Sequence, residues 1–256
     1  ASGTTAAFHL ARKRKKVCIL EKNISTHGKT CGGGMSAAVQ KWFPFKLSPI
    51  VEEVIKNVEF SWCNADKVLA KISGSSPFWI VKRKNLDTFL LDQAINSGCN
   101  LFTTFKVIDL KKNSNIWQIT SHDGRQLEAK AVVIADGSQS PWPKTLNLGP
   151  HEQKFASTFS GTIKRRGDVK SETARFEFGL VKNGFAWAFP ANNEVNIGMG
   201  TFLDNKNSIP VNEILKSFLP DLGLDPSEIN CHEKKLRVWN GHSRLNGEGI
   251  LLVGDA

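Results

Sequence analysis

The residues best suited to chemistry lie near the start of the chain. Gly3 stands where a helix would begin, and a glycine there lets backbone amides approach a phosphate group closely. Ala6 and Ala7 are small enough for that helix to pack tightly against a sheet. Glu21 closes the apolar run at residues 17–20, where its carboxylate is placed to accept hydrogen bonds from a ribose. These residues predict the second half of a dinucleotide-binding turn.

The first half of such a turn does not precede Gly3. The complete fingerprint G-x-G-x-x-G/A requires a preceding apolar strand and two earlier glycines. At the other end, residues 249–256 form an apolar run that closes in Gly254-Asp255-Ala256. We therefore expect a fragment of a longer chain, without its first strand and its C-terminal region. A glycine before an alanine-rich helix is also common in unrelated proteins, so the half-turn needs support from the rest of the sequence.

The composition is typical of a soluble globular protein. The chain has 256 residues, of which 40% are hydrophobic and 23% charged, enough for one large domain or two modest ones. No apolar run reaches the length of a membrane span, and the N-terminus lacks the apolar core of a signal peptide, so a cytoplasmic location is expected. The five cysteines form no C-x-x-C pair and the six histidines show no metal-ligand spacing. We expect reduced thiols and no metal site.

The formal net charge of +10 raises the question of a nucleic-acid partner. The basic residues, however, are spread along the chain in groups at 12–16, 82–84, 164–166 and 234–235. Each group is explained by a solvated turn, and no nucleic-acid-binding motif accompanies them, so no such partner is expected. Attraction of an anionic cofactor, or peripheral contact with an anionic membrane surface, stays open as a second use of this charge.

The hydrophobic pattern predicts alternating helices and strands and then a more uniform antiparallel region. The predicted helices are residues 4–12, 50–58, 86–96 and 211–218. The predicted strands are residues 17–21, 101–110, 115–121, 126–129, 132–135 and 249–253, with further strands within 59–82. Asp123-Gly124 predicts a hairpin turn. Residues 154–202, with turns at 166–168 and 192–193, indicate an antiparallel sheet.

Several turns follow these strands in an order that suits one extended ligand. After Gly3 and Glu21 comes Arg83-x-x-Leu86-Asp87, which leads a helix. The buried strand at 132–135 then delivers Asp136-Gly137, and the last strand delivers Gly254-Asp255. A dinucleotide lying across strand ends needs amides at its pyrophosphate, a carboxylate at one ribose and another acceptor at its sugar-alcohol chain.

The ordered set resembles the FAD-dependent oxidoreductases of the p-hydroxybenzoate hydroxylase type, and within them the geranylgeranyl reductase family. The matching motifs are Gly3-Thr4-Thr5-Ala6-Ala7, Lys29-x-Cys31-Gly32-Gly33-Gly34, Arg83-x-x-Leu86-Asp87, Ala135-Asp136-Gly137-x-x-Ser140, Gly184-x-x-Trp187-x-Phe189-Pro190, Asn196-x-Gly198-x-Gly200 and Gly254-Asp255-Ala256. The Cys-Gly-Gly-Gly and Trp-x-Phe-Pro elements favour the reductase branch over the hydroxylases.

The resemblance implies an α/β fold with two domains. The first is a discontinuous, Rossmann-like, three-layer FAD-binding domain formed by residues 1–40, 80–145 and 245–256. The second is a substrate domain built on an antiparallel sheet and formed by residues 41–79 and 146–244.

The resemblance also implies a set of cofactor-binding residues. They are Gly3, Thr4, Glu21, Lys22, Cys31, Gly32, Gly33, Arg83, Asp136, Gly137, Gly254 and Asp255. In this set Gly3 lies under the FAD pyrophosphate, Glu21 holds the adenosine ribose and Arg83 reaches the flavin side. Asp136 lines the groove near the pyrophosphate and a nicotinamide donor, and Asp255 bonds the ribityl or pyrophosphate region. A solvated basic turn is an alternative explanation for Arg83, as an ordinary turn is for Asp136-Gly137.

The Cys-Gly-Gly-Gly element is the candidate for chemistry beside the flavin ring. Its glycines would let the backbone approach the flat ring, and Cys31 is the candidate catalytic residue, as a proton donor. The alternative is an inert thiol in a tight glycine loop. Trp187, Phe189 and Gly198 are the candidate wall of the substrate cavity, and the alternative is that the two aromatic side chains belong to the core.

The implied activity is the reduction of isoprenoid carbon–carbon double bonds of the geranylgeranyl type. A hydride would pass from NAD(P)H to FAD and then to the alkene, with an acid supplying the proton. The alternatives are an FAD-dependent aromatic monooxygenase and a flavin-binding fragment without turnover. The isoprenoid, the nicotinamide preference and the oligomeric state stay open.

Overall fold

The structure is a computed structural model of the 256-residue chain, and it describes residues 1–24, 31–74, 77–150, 153–166, 169–202, 210–238, 241 and 243–256. The chain divides into two compact units. The first unit comprises Ala1–Gly28, Leu86–Lys154 and Trp239–Ala256, and the second comprises Lys29–Asn85 and Phe155–Val238.

The described residues form four α-helices and eighteen strands, with short 3₁₀ turns between some of them. The helices are α1 (Ser2–Arg12), α2 (Arg83–Asn96), α3 (Trp142–Thr145) and α4 (Val211–Phe218). The strands are β1 (Cys18–Leu20), β2 (Gly34–Ser36), β3 (Val51–Ile55), β4 (Asn57–Trp62), β5 (Ala65–Lys71), β6 (Phe78–Val81), β7 (Asn100–Phe102), β8 (Val107–Asn113), β9 (Ile116–Ser121), β10 (Gln126–Ala129), β11 (Val132–Ile134), β12 (Lys154–Lys164), β13 (Thr173–Phe178), β14 (Gly184–Ala191), β15 (Glu194–Thr201), β16 (His232–Val238), β17 (Asn246–Gly247) and β18 (Ile250–Leu252).

The first unit contains the parallel pairings expected of a nucleotide-binding fold. Strand β1 pairs with β7 in parallel, and β11 pairs with β18 in parallel, with β17 antiparallel on the far side of β18. A separate antiparallel sheet has the order β10-β9-β8. Helix α1 buries Ala7, Phe8 and Ala11 on one face, a spacing that repeats with the helical period. A hydrophobic cluster around Trp117, Ile134 and Leu252 supports β11 and β18.

The second unit is built on a seven-stranded sheet with the order β16-β12-β15-β14-β13-β4-β5. Strands β12 to β15 are antiparallel neighbours, whereas β13 and β4 are parallel. Helix α4 buries Ile214, Leu215 and Phe218 in a core that also contains Ile197 and Met199 of β15. One face of the sheet therefore faces α4. A smaller antiparallel sheet, β2-β6-β3, completes the unit.

Two charged side chains, Arg175 and Glu177, are buried on the α4 side of the sheet, with 5% and 0% of their surface exposed. Arg175 forms an ion pair with Asp221, which lies in the 3₁₀ turn after α4. Burial acts to raise the pKa of Asp221, but hydrogen bonds from Lys67 and Arg175 outweigh it and leave the pKa below its ordinary value. Asp221 is therefore ionised near neutral pH, and the ion pair ties the segment after α4 to β13.

Most of the element predictions are confirmed, and the combination of helices with parallel and antiparallel strands confirms the α/β class. The helix at 4–12 corresponds to α1, the hairpin at Asp123-Gly124 joins β9 to β10, and the region 154–202 forms antiparallel strands. The predicted helix at 50–58 is wrong, because β3 and β4 cover these residues. Its β-branched valines and isoleucines favour strands, and pairing with β6 and β13 decides the conformation.

The boundaries of the two units differ from the predicted domain boundaries at four segments: residues 31–40 and 80–85 lie in the second unit, and the described residues of 146–154 and 241–244 lie in the first. Residues 31–40 were assigned to the FAD-binding domain, but the contacts of the chain place them, with residues 80–85, in the second unit. The reason is local pairing, since β2 and β3 both hydrogen-bond to β6. Lys29 and residues 167–168 of a predicted turn lie outside the described residues.

Candidate functional site

The predicted site residues fall into two groups, one in each unit. In the first unit, the start of α1 lies against the turns that follow β11 and β18. A Cβ atom added to Gly3 would lie 2.9 Å from the Cβ atom of Ala135, and one added to Gly254 would lie 2.5 Å from Ser2 Oγ. Because Gly3 and Gly254 have no Cβ atom, the helix start can lie this close to the two turns. The structure therefore brings together three turns that the sequence separates by more than a hundred residues.

The two strand-end turns in this group share a tight backbone geometry. Gly137 and Gly254 both have positive φ, at 93° and 69°, which a residue with a side chain adopts only with strain. The backbone amide of Ser140 donates to the carbonyl of Gly137 at 2.9 Å and closes the first turn. Asp136 and Asp255 are exposed at the two turns. Because β11 and β18 are parallel neighbours, their carboxyl ends lie at the same edge of the sheet.

The N-terminus of α1 suits a negatively charged group. No side chain caps this helix, and its first turn contains no acidic residue. Thr4 Oγ1 donates to the carbonyl of Ala1 at 2.8 Å. The Oγ atom of Ser140 is buried without a hydrogen-bond partner among the described residues. Free backbone amides and the positive end of the helix dipole attract anions, so the residues present fit the phosphates of a dinucleotide.

Glu21 is held at the carboxyl end of β1. Its backbone amide donates to the carbonyl of Phe102 at 2.9 Å, and its Oε1 atom accepts from the backbone amide of Asn23 at 3.0 Å. One carboxylate oxygen is thus used to fix the local turn. Lys22, the next residue, is exposed. The geometry of Glu21 is compatible with the ribose contact predicted from the sequence.

The second group of predicted residues is a glycine loop, residues 31–34, in the second unit. Gly33 has a φ of 78°, and a Cβ atom there would lie closer to the carbonyl oxygen of Val81 than van der Waals contact permits. A Cβ atom on Gly34 would overlap the ring of Phe78 in the same way. The backbone amide of Val81 donates to the carbonyl of Gly33 at 2.9 Å. A Cβ atom on Gly32 would lie 3.0 Å from Trp187 Nε1, so this glycine also packs closely against its neighbours.

Asn196 connects this loop to the large sheet. Its Oδ1 atom accepts from Trp187 Nε1 at 2.9 Å, and its Nδ2 atom donates to the carbonyl of Cys31 at 3.4 Å. The thiol of Cys31 is exposed, and its Sγ atom accepts from the backbone amide of Gly33 at 3.4 Å. Asn196 belongs to the motif Asn196-x-Gly198-x-Gly200, but no role for it was predicted from the sequence. The one feature of the sequence that pointed to it is its position in β15, two residues before Gly198.

The opposite face of the large sheet from α4 is aromatic. Trp187 and Phe189 lie on it and are buried, and their rings are stacked at 6.1 Å. Phe176 and Phe185 continue the same face through edge contacts at 5.2 to 6.0 Å. A Cβ atom on Gly198 would overlap the ring of Trp187, so this glycine makes room for the indole. Phe176 and Phe185 were not predicted as site residues, although aromatic residues at every second position are a signal for one strand face.

Arg83 begins α2 and is half-buried within the second unit. The structure places it two residues after β6, the strand that pairs with the glycine loop. Gly3, Glu21, Asp136 and Asp255 are in the first unit. The predicted cofactor-binding set is therefore divided between the units, with Gly32, Gly33 and Arg83 in the second.

The cysteines and the possible metal ligands of the described residues form no second site. All five cysteines are free, and burial raises the pKa of the thiols of Cys99 and Cys231, which makes both less reactive. Among the described residues, no group of three or more His, Cys, Asp or Glu side chains is placed to hold a metal ion. None of the helices in the described ranges combines the length and the hydrophobicity needed to cross a bilayer.

Comparison with known proteins gives relatives that align with the whole chain. An uncharacterized protein of Methanosarcina barkeri is 24% identical over 257 residues. Digeranylgeranylglycerophospholipid reductase 2 of Methanothermobacter thermautotrophicus is 28% identical over 269 residues. The chloroplastic geranylgeranyl diphosphate reductase of Nicotiana tabacum is 27% identical over 273 residues. Each alignment covers 100% of the chain. No family model matches the sequence.

Solved structures share the fold over nearly the whole chain. A geranylgeranyl bacteriochlorophyll reductase-like protein from Thermoplasma acidophilum superposes with a TM-score of 0.82 at 18% identity, over 99% of this chain and 68% of that one. Aklavinone-11 hydroxylase, solved with FAD and aklavinone, superposes with a TM-score of 0.72 at 13% identity, over 99% of this chain and 55% of that one. The chain is thus similar in sequence to geranylgeranyl reductases and shares the fold of FAD-dependent oxidoreductases. The predicted FAD-binding fold and the predicted resemblance are thereby confirmed.

The chain spans only part of the length of each of these relatives. It covers 65% of the Methanosarcina protein, 68% of the Methanothermobacter reductase and 58% of the tobacco reductase. With identities of 24–28%, the activity and the substrate of this chain are matters for proposal.

Proposed function

We propose that the chain is the FAD-binding and substrate-binding part of a reductase that acts on isoprenoid carbon–carbon double bonds. The observation that carries the proposal is the glycine loop of residues 31–34, held by Asn196 against the aromatic face around Trp187. A loop without side chains leaves space for a flat ring, and an aromatic wall suits an apolar substrate. The relatives named as geranylgeranyl reductases support the same substrate class.

The first unit would hold the FAD through its nucleotide half. Gly3 and Thr4 would present the amides of α1 to the pyrophosphate, and Glu21, with Lys22 beside it, would bind the adenosine ribose. Asp136 and Gly137 would line the groove along the pyrophosphate. Gly254 and Asp255 would contact the ribityl or pyrophosphate region. We propose the domain assignment of the sequence analysis with the glycine loop moved to the substrate-binding unit.

The second unit would hold the substrate and the reacting end of the cofactor. The chemistry that FAD supplies is the transfer of a hydride from reduced nicotinamide, NADH or NADPH, to the double bond. Cys31 would donate a proton to the other carbon, since its thiol is exposed beside the loop. Trp187 and Phe189, with room made by Gly198, would wall the isoprenoid chain and exclude water. Arg83 would balance negative charge on the flavin side. A cytoplasmic location with peripheral membrane contact accompanies this proposal.

The first test is retention of FAD. The visible absorption spectrum of the purified chain is measured before and after addition of FAD and again after gel filtration. The expected result is flavin bands that elute with the protein. Replacing Glu21 with alanine is expected to weaken FAD binding about tenfold, because two hydrogen bonds to a charged acceptor are lost. Glu128→Ala removes an exposed acid of the same unit and is expected to leave the affinity unchanged.

A chain that stays colourless is retested after extension at both ends to the length of its relatives, and a colourless extended chain contradicts the FAD-binding proposal. Equal affinity of the Glu21→Ala and Glu128→Ala variants would remove Glu21 from the ribose contact while leaving FAD binding in place.

The second test is turnover. The FAD-loaded protein is supplied with NADPH or NADH and a geranylgeranyl lipid, with and without oxygen, and the products are analysed by mass spectrometry. Saturated chains formed without oxygen support the reductase. Oxygen-dependent hydroxylation of an aromatic substrate would instead show the monooxygenase alternative, and FAD binding without turnover would show a non-catalytic flavin-binding fragment.

The turnover assay also tests Cys31. Cys31→Ala is expected to retain FAD and to lower the rate of alkene reduction at least tenfold, since a positioned proton donor typically contributes on the order of 10²–10⁴ to a rate. Cys63→Ala, which removes an exposed thiol elsewhere in the same unit, is the matched control and is expected to keep the rate. Full activity of Cys31→Ala would limit Cys31 to a structural role in the glycine loop.

A further inference from the structure

A short surface segment that the proposed reaction does not use has an unusual composition. Residues 41–46 read Lys-Trp-Phe-Pro-Phe-Lys and are called the aromatic loop below. The segment begins at the end of the 3₁₀ turn Ala37–Trp42 and leads into a second such turn, Ser48–Ile50. Four apolar residues follow one another with a lysine on each side, and they lie outside the strands and α-helices of the described residues.

The aromatic loop has a defined conformation of its own. Gln40 Nε2 donates to the carbonyl of Phe45 at 2.7 Å and to that of Phe43 at 3.4 Å. The backbone amide of Leu47 donates to Gln40 Oε1 at 2.8 Å. Leu47 and Ile50 are buried and anchor the end of the segment in the second unit. One glutamine side chain therefore closes the loop, and the apolar side chains are presented on a fixed backbone.

The apolar side chains of the loop face outward to a large extent. Trp42 has 64% of its surface exposed, which is the highest value of any tryptophan in the described residues. Phe43 and Phe45 are half-buried and stack on each other at a centroid distance of 5.1 Å. Pro44, between them, is exposed. A tip with this much exposed aromatic surface indicates an interaction site.

The two charged residues of the loop, Lys41 and Lys46, are both positive. Lys41 Nζ lies 5.2 Å from the centroid of the Trp42 ring, and Lys46 is exposed on the other side. No aspartate or glutamate occurs in the sequence between Glu21 and Glu52. Tryptophan and lysine are the residues enriched at membrane–water interfaces, where the indole enters the headgroup layer and the ammonium contacts anionic lipid.

We propose that the aromatic loop is a docking site for an anionic phospholipid surface. Trp42 and Pro44 enter the headgroup layer, while Lys41 and Lys46 contact the phosphates. The charge complementarity of the two lysines, with no acidic residue nearby in sequence, selects an anionic bilayer over a neutral one. This site is independent of the proposed reaction, because none of its residues belongs to the proposed FAD or substrate contacts.

Vesicle co-sedimentation of the purified chain tests this site. The vesicles contain either phosphatidylcholine alone or phosphatidylcholine with phosphatidylglycerol in a ratio of about 2 to 1. The expected result is binding to the anionic vesicles that weakens as salt is raised. The double variant Lys41→Ala/Lys46→Ala is expected to bind roughly 20-fold more weakly, since each lysine near an anionic surface contributes about fivefold. Trp42→Ala is expected to weaken binding to the anionic vesicles, because no indole enters the headgroup layer.

Two matched variants test whether the losses are specific to the aromatic loop. Lys13→Ala/Lys15→Ala makes the same change of net charge at another exposed turn, and Trp62→Ala removes a tryptophan of similar exposure, 60%, on β4. Both are expected to bind as the native chain does, and circular dichroism checks that all variants fold. Absence of binding by the native chain, or equal losses in the loop variants and the matched variants, would overturn the proposal. The first outcome would point to a protein partner for the loop.

Discussion

Replacing Glu177 with alanine is expected to lower the free energy of unfolding by about 3–5 kcal/mol, because three buried donors lose their acceptor and the Arg175 guanidinium loses one of its carboxylate partners. Glu177 is fully buried in β13. It accepts hydrogen bonds from Ser61 Oγ and, at 3.1 Å, from the backbone amide of Asn64, and it lies 3.4 Å from Arg175 Nη2. All three donors lose an acceptor in the variant. Burial of an unsatisfied charge or donor is costly because no water replaces the lost partner.

The surrounding charges explain why Arg175 has no alternative arrangement. Its guanidinium already pairs with Asp221 through Nη1, approaches Glu59 at 3.5 Å and lies 5.4 Å from the centroid of the Phe218 ring. The side chain is therefore fixed on every side by β4, by α4 and by the turn after α4. It cannot turn towards solvent without breaking these contacts. The loss at Glu177 is consequently not recovered by a rearrangement of Arg175.

An exposed glutamate in the same sheet gives the control. Glu194 pairs with Lys82 at 2.9 Å, but the two side chains are 44% and 42% exposed. Glu194→Ala is expected to cost about 0–1 kcal/mol, because water solvates the ammonium of Lys82 once its partner is removed. Urea unfolding followed by tryptophan fluorescence measures the two variants. Equal losses in Glu177→Ala and Glu194→Ala would show that the buried network contributes no more than a surface pair.

The strand-end turns of the first unit could be predicted from the sequence because their signals are local. Gly137 and Gly254 each follow a short, fully apolar strand, and such a strand ends where a glycine with positive φ allows a turn. Gly3 was predicted from another local signal, its place at the start of an alanine-rich helix. Their convergence at Gly3 followed from the expectation that parallel strands present their carboxyl ends at one edge.

Contacts that join distant strands could not be predicted. Arg175 and Glu177 alternate with apolar residues in β13, a pattern that also describes a solvent-exposed face. Their burial depends on α4 and on Ser61, a residue 114 positions from Arg175. The helix predicted at 50–58 was wrong for the same reason. Its sequence pattern is compatible with a helix or a strand, and pairing with β6 and β13 selects the strand.

The glycine loop shows both situations within four residues. Three successive glycines predicted a tight backbone, but the residue that packs against each glycine lies elsewhere in the chain. Gly32 lies against Trp187, Gly33 against Val81 and Gly34 against Phe78. Asn196, which holds the loop to the sheet, carries no local signal of that role. The glycine motif thus indicated where other groups lie close to the backbone, and only the fold showed which groups these are.

The second large effect is expected at Gly33. Gly33→Ala is expected to lower the free energy of unfolding by about 3 kcal/mol, through two costs that add. The φ of 78° is unfavourable for any residue with a Cβ atom, and the new Cβ atom would overlap the backbone carbonyl of Val81. A backbone atom in a paired strand cannot move aside as a flexible side chain can. The hydrogen bond from the Val81 amide to the Gly33 carbonyl is therefore expected to break as the loop shifts.

Gly124→Ala separates the two costs. Gly124 has a φ of 86°, but no atom lies within 4 Å of the position of its Cβ atom, so only the conformational cost of about 1–2 kcal/mol applies. Urea unfolding measures both variants, and fluorescence of Trp187 and its neighbours reports displacement of the loop in Gly33→Ala. Equal losses at the two positions would mean that the loop yields to the new methyl group without disturbing β6. In that case the close approach of the Gly33 backbone to Val81 is incidental, and the glycine serves the turn alone.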